Sequence, residues 1–159
     1  MFFGSSCGYN FVGGKTELPP GVQEVAIPIF GNRSTQEGIE SEVTRAMVEK
    51  FTSARVFSVT DEKSADALLT GTVSSFVASP ITVTTGTQTT TEYRATLTIE
   101  FVFKRQKDGR VLRKQMISDW RNYPVVDNLT VTEINKKEAI RQISVLLAER
   151  VHETILTNF

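Results

Sequence analysis

The chain has 159 residues, enough for one domain that buries its own core without disulfide or metal staples. Its 18 basic and 18 acidic residues cancel, which argues against a nucleic-acid partner held by a strong global field. Apolar residues make up 40%, and no run approaches the ~20 residues of a membrane helix, so any membrane contact must be made by other means.

Residues 1–21 read as an irregular leader, punctuated by Gly8, Gly13, Gly14, Pro19, Pro20 and Gly21. The single cysteine, Cys7, follows Gly4-Ser5-Ser6 and precedes Gly8. Small residues before a lone cysteine are the pattern of a bacterial lipoprotein processing site, where the thiol takes a diacylglycerol. More than one acyl chain at that residue would hold the protein at a bilayer, since each buried CH₂ adds ~0.8 kcal/mol. Only Met1-Phe2-Phe3 stand before the small residues, where a signal peptide has a basic segment and an apolar run, so the pattern is that of a truncated signal. On these residues alone, lipidation of Cys7 and a free thiol near the terminus are equally open. The leader up to Gly21 is then a tether, and residues 22–159 a single domain.

Val22 to Phe30 is the first strand, with Val25, Ile27 and Ile29 on one face. Pro28 cannot donate to a ladder, so this strand belongs at an edge or carries a bulge. Gly31 to Ser34 turns into a helix capped by Ser34 or Thr35, with Glu37 completing a capping box. Ile39, Val43, Ala46, Met47 and Phe51 form its apolar stripe, and it ends near Thr52. A short strand, Arg55 to Thr60, and a polar turn, Asp61 to Ser64, follow.

Ala67 to Ala78 is a strand with Leu69, Gly71, Val73, Ser75 and Val77 on one face. The threonine-rich stretch Pro80 to Thr91 is a loop or a pair of polar strand ends. Tyr93 to Lys104 alternates clearly: Tyr93, Ala95, Leu97, Ile99, Phe101 and Phe103 point one way and mostly polar residues the other. One buried and one wet face argue an antiparallel sheet. Asp108-Gly109 signals a hairpin to a strand from Arg110 to about Arg121, with Leu112, Met116 and Trp120 offered to its buried side. After a loop from Pro124 to Thr130, a last helix runs from Glu133 to Leu156, with Asn135 and Glu138 as its capping box. Ile140, Ile143, Leu147, Val151 and Ile155 form its stripe, widened by Ala139 and Leu146. The economical packing is an α+β two-layer sandwich: an antiparallel or mixed sheet of four to five strands with both helices on one face, the other face left polar and open.

Catalytic chemistry is sparse. The one histidine, His152, reads as a solvated helix residue, and a hydrolase built on it with Ser or Asp is the weakest of the readings. No His or Cys pair has metal-ligand spacing, and Gly13-Gly14-Lys15 lacks the phosphate-loop spacing, so neither enzyme activity nor a cofactor is expected. Asn128-Leu129-Thr130 matches a glycosylation acceptor that a bacterial protein leaves unused. Lys104, Arg105, Lys107, Arg110, Arg113 and Lys114 crowd the Asp108-Gly109 hairpin, where charges deter pairing with other chains or meet an anion.

Several short runs together resemble one family. Cys7-Gly8-Tyr9-Asn10-Phe11, Leu18-Pro19, Ala26-Ile27-Pro28-Ile29-Phe30 with Asn32, Gly38-Ile39-Glu40 with Thr44, Leu69-x-Gly71-x-Val73, and Glu92-Tyr93 opening a long alternating strand are similar, in order and spacing, to the lipopolysaccharide-assembly lipoprotein family LptE. The resemblance implies a lipid on Cys7, an outer-membrane location in a Gram-negative bacterium, and a small sandwich that plugs the LptD β-barrel and assists lipopolysaccharide delivery. In that family basic residues in the loop before the Glu-Tyr strand and after the last strand are implicated in lipopolysaccharide contact. Here residues 81–91 and 124–133 contain no Lys or Arg, which leaves Arg94, Arg121, Lys136 and Lys137 as the nearest candidates. The alternative is a periplasmic lipoprotein of similar fold that binds and activates a cell-envelope enzyme.

Overall fold

The computed structural model describes residues 18–157. Six strands and two helices follow in the order β1 (Glu24–Ala26), β2 (Gly31–Asn32), α1 (Ile39–Ala54), β3 (Ser58–Val59), β4 (Ala67–Thr85), β5 (Gln88–Arg105), β6 (Val111–Pro124) and α2 (Leu129–Leu156). The sheet runs β3-β1-β4-β5-β6, with β2 also paired to β4. It is mixed: β1 is parallel to β3 and β4, β2 is parallel to β4, and β4-β5-β6 form an antiparallel meander. Both helices cover one face, so the fold is the expected α+β two-layer sandwich. The strand count exceeds the expected four to five because the first strand is split.

The split has a local cause. Pro28 stops β1 after Ala26, and the chain rejoins the ladder at Gly31. Between the pairs Ala26–Leu68 and Gly31–Thr72 the first chain uses five steps and β4 four, so one residue is bulged out. The alternation expected across Val22 to Phe30 therefore fails: Val25 is buried but Ile29 is 76% exposed. Phe30 turns inward instead, and its amide donates to Thr44 Oγ1 at 3.0 Å, tying this segment to α1.

The core lies between the sheet and the helices. Leu69, Val73, Leu97, Ile99, Phe101 and Phe103 come from β4 and β5, and they meet the expected stripes of both helices, except that Leu146 lies outside the core and Ala148 lies within it. Burying one such aliphatic or aromatic side chain contributes ~1.5–3 kcal/mol. The helix starts differ from expectation. Gly38 precedes α1 with φ +78° and no side-chain cap. Ser34 is used upstream, its amide and hydroxyl both donating to Asn32 Oδ1. In α2, Asn128 is the cap, accepting from the amides of Thr130 and Val131. Asn135 lies inside that helix and donates to the Pro124 carbonyl. The Pro124-to-Thr130 loop is correspondingly shorter than expected.

Two bulges reset the strand faces. A register shift between Val73 and Ser75 flips the alternation in β4, since one extra residue moves every later side chain across the sheet. Ser75 and Val77 thus join the open face and Phe76 packs on the core, contrary to the expected grouping. A second shift leaves Leu112 without a partner between the pairs Phe103–Arg113 and Lys104–Val111. From Arg113 onward the odd-numbered residues of β6 face the helices. Met116 and Trp120, expected on the buried side, are 58% and 47% exposed on the other. Ile117, Asp119 and Tyr123 take their place.

Candidate functional site

The sheet face away from the helices is left uncovered by them. Cross-strand pairing arranges it in rows. Val77, Thr96 and Trp120 form one row, Ser75, Thr98 and Ser118 the next, and Ser79, Arg94 and Asn122 another. The Thr98 hydroxyl donates to the Ser118 hydroxyl at 3.2 Å. The Arg94 guanidinium sits 4.2 Å from the centre of the Trp120 ring, and its Nε donates to Asn122 Oδ1 at 3.2 Å. The cation rests against the negative face of the indole. The pair presents a flat, rigid block with free guanidinium donors at its margin. Alternating strand geometry places the hydroxyls and this block on one side, which the polar half of Tyr93 to Lys104 already signalled.

At one end of this face, β4 and β5 continue past β6. The last β5–β6 pair is Glu92–Pro124, whereas β4–β5 pairing runs on to Thr85–Gln88 around the Gly86-Thr87 turn. Of the two readings open for Pro80 to Thr91, paired polar strand ends is the one observed. The start of α2 lies at the same end, where the Val125 amide donates to the Thr91 carbonyl. Val126, Leu129, Val131 and Ile134 are exposed there.

The opposite end receives the incoming chain. Arg105 Nη1 donates to the Pro20 carbonyl at 3.0 Å, while its other nitrogens grip Asp108. That guanidinium brings the Asp108 carboxyl down to about 2. Asp66 Oδ2 accepts from the amides of Gln23 and Glu24, both at 2.9 Å, which lowers its pKa. β5, 18 residues long, separates the two ends by roughly 60 Å. Cys7 lies outside the described residues.

The four basic candidates are not brought together. Arg94 is on the open face. Arg121, opposite Ala95, is on the helix side and donates from Nη1 to the Trp120 carbonyl at 2.9 Å. Lys136 pairs with Glu133 at 2.8 Å. Lys137 lines a groove against the start of α1, beside Glu37, Gly38 and Glu42.

His152 is buried, not solvated as expected, at 6% exposure. Helix packing turns it into an aromatic pocket, edge-on to Phe51 at 5.1 Å and Phe57 at 6.5 Å. Burial, then the nearby Lys50 charge, lowers its pKa against the opposing pull of Glu153. Its Nε2 has no hydrogen-bond partner among the described residues, so no Ser or Asp is seated against that nitrogen as a catalytic partner would be. Among the described residues no group of His, Cys, Asp or Glu is arranged to hold a metal, and no helix is long and apolar enough to cross a membrane. Sequence reasoning put Trp120 on the wrong face and did not single out the buried Asp119. The signal was present in Ile117 and Tyr123, whose odd numbering gives the true phase of β6.

The family model described as "Lipopolysaccharide-assembly", LptE, matches residues 22–155. A search of curated proteins finds none that matches. Among solved structures, rare lipoprotein B from Shewanella oneidensis is 15% identical, with a TM-score of 0.57 over 84% of this chain and 93% of that one. A Caulobacter crescentus protein described as a lipoprotein is 9% identical, with a TM-score of 0.58 over 80% and 88%. A minor lipoprotein from Acinetobacter baumannii is 13% identical, with a TM-score of 0.50 over 86% and 94%. At these identities the likeness is one of fold.

Proposed function

The chain belongs to the LptE lipopolysaccharide-assembly family, and we propose that it serves there as a non-enzymatic plug, anchored by a lipid on Cys7 in the outer membrane and seated in the LptD β-barrel. The observation that carries this reading is the uncovered sheet face, rich in hydroxyls and holding the Arg94–Trp120 block. The lumen of a large barrel is polar. A face of Thr and Ser hydroxyls can hydrogen-bond such a wall without a continuous apolar interface, and the half-exposed Trp120, Met116 and Val77 supply scattered apolar contacts.

The polarity of the domain suits an anchored plug. The chain arrives beside the Arg105–Asp108 hairpin, and the β4–β5 tip points away from it. The eleven residue steps from Cys7 to Leu18 reach at most ~40 Å, so a lipid at Cys7 keeps the hairpin end near the bilayer and leaves the tip to project.

Lipopolysaccharide contact is assigned to the tip end, with Arg94 as its nearest open-face cation. Phosphorylated sugars are met most strongly by charge-assisted hydrogen bonds. Arg121, Lys136 and Lys137 face elsewhere and serve this role less directly. A photo-reactive residue placed at Thr96 or Ser75 in cells is expected to form an adduct with a large β-barrel protein. Absence of that adduct, with the variant protein present in the outer membrane, overturns the plug reading.

A further inference from the structure

β6 forms an outer boundary of the sheet, with β5 on its inner side. Amides and carbonyls of alternate residues in a strand point to the same side. The Val125 amide donates inward to Thr91 of β5, so in this register odd-numbered residues face β5 and even-numbered residues face outward. Three outward groups at the middle of β6 are taken by side chains. The Trp120 amide donates to Asp119 Oδ1 at 2.8 Å. The Trp120 carbonyl accepts from Arg121 Nη1 at 2.9 Å. The Ser118 carbonyl accepts from Arg150 Nη1 at 3.0 Å, reaching across from α2. Arg150 Nη2 closes the set with a 3.2 Å ion pair to Asp119 Oδ2, and Asp119 itself is only 9% exposed.

We propose that Asp119, Arg121 and Arg150 form a clip that closes the β6 edge to strand addition, and that the strand it excludes is β6 of a second copy of this chain. A free strand edge is a template for pairing, and proteins block it by charge or by cover. Here the block is specific: three of the outward groups that a neighbouring strand needs at the middle of β6, the Trp120 amide and carbonyl and the Ser118 carbonyl, are already occupied. The second copy is the occupant because β6 is complementary to itself: two copies pairing antiparallel about a two-fold axis use the same residues from both chains. Ser118 stands at the middle of β6, so such a pairing centres on the clipped groups. In that register Met116 of one copy lies opposite Trp120 of the other, and both are exposed apolar residues on the open face. The edge is thus self-complementary in side chains and clipped at the centre of its backbone. This inference does not depend on the barrel or on lipidation.

Sedimentation velocity of the full purified chain, across a concentration series, tests it. The wild type is expected to be monomeric. Arg150→Ala releases the Ser118 carbonyl and is expected to strengthen self-association by about tenfold, the order of effect of freeing one hydrogen-bond acceptor in each copy. Arg121→Ala releases the Trp120 carbonyl without touching α2 and is expected to shift association in the same direction, which keeps the test valid if Arg150→Ala fails to fold. Adding Met116→Pro, which removes an outward amide, is expected to restore the monomer. Variants that stay monomeric with wild-type circular dichroism overturn the proposal. Association that survives Met116→Pro also overturns it, because the contact then lies elsewhere.

Discussion

The Phe30 ring lies directly over Gly71, in the space that a side chain at that position would fill. A methyl group built on Gly71 overlaps the Cε2, Cδ2 and Cζ atoms of the ring. Phe30 is itself enclosed by the core and has no room to retreat. The two short runs around Phe30 and Gly71, far apart in sequence, are therefore one packing unit that holds the β1–β2 segment on β4.

Gly71→Ala is accordingly expected to destabilise the domain by ~1–3 kcal/mol, the usual cost of overpacking a filled core. Phe30→Ala is expected to cost ~3–5 kcal/mol. The double variant should lose less than the sum, because removing the ring makes room for the methyl group. Urea unfolding of the four proteins gives the cycle, and additive losses contradict this packing.

His152 makes stability depend on pH. Its folded pKa lies below the ordinary value of 6.5, so the unfolded chain takes up its proton first as the pH falls. The stabilising contribution is full above pH 6.5 and is lost as the pH drops from there toward the folded value. The slope is at most ~1.4 kcal/mol per pH unit. His152→Phe is expected to flatten the dependence below pH 6.5. Equal slopes in the two proteins, from urea midpoints at several pH values, contradict the assignment.

The true cap of α2 is testable against the expected one. Asn128→Ala is expected to cost ~1 kcal/mol, since two amides of the first turn lose their acceptor. Asn135→Ala should remove only the bond to the Pro124 carbonyl and leave the helix start intact. Thermal melts followed by circular dichroism distinguish them, and a larger loss at Asn135 contradicts the assignment.

Arg94→Ala removes the tip's nearest open-face cation and uncovers Trp120. It is expected to weaken lipopolysaccharide binding by about tenfold, the order of one charge-assisted hydrogen bond. Isothermal titration measures this directly, and wild-type affinity in the variant removes Arg94 from the binding account.

Much of the fold was legible from periodicity. The alternation from Tyr93 to Phe103 and the stripes of both helices fixed which residues form the core, and all of those on β5 and α1 lie where expected or packed against it. What periodicity cannot carry across is a bulge. One unpaired residue at Leu112 exchanged the faces of β6, sending Met116 and Trp120 outward. One shift after Val73 did the same to Val77. Helix starts were misplaced because Ser34, Asn135 and Asn128 all carry capping chemistry, and only the tertiary path decides which of them stands at a helix end. His152 was misread because its neighbours Val151 and Glu153 do not reveal the aromatic pocket made by Phe51 and Phe57. Of the candidate site, the polar open face and Arg94 were legible. The Asp119–Arg150 pair was not, since it joins residues on different elements whose approach only packing determines.

The most direct test of the central claim is co-purification. The chain, expressed behind a full signal peptide in a Gram-negative host, is extracted from the outer membrane in mild detergent and its partners are identified. The account predicts a roughly stoichiometric large β-barrel protein, lost when Thr96 and Trp120 on the open face are replaced by Glu. Recovery of the protein alone, or with a peptidoglycan enzyme in place of a barrel, would contradict the plug and favour an activator of a cell-envelope enzyme.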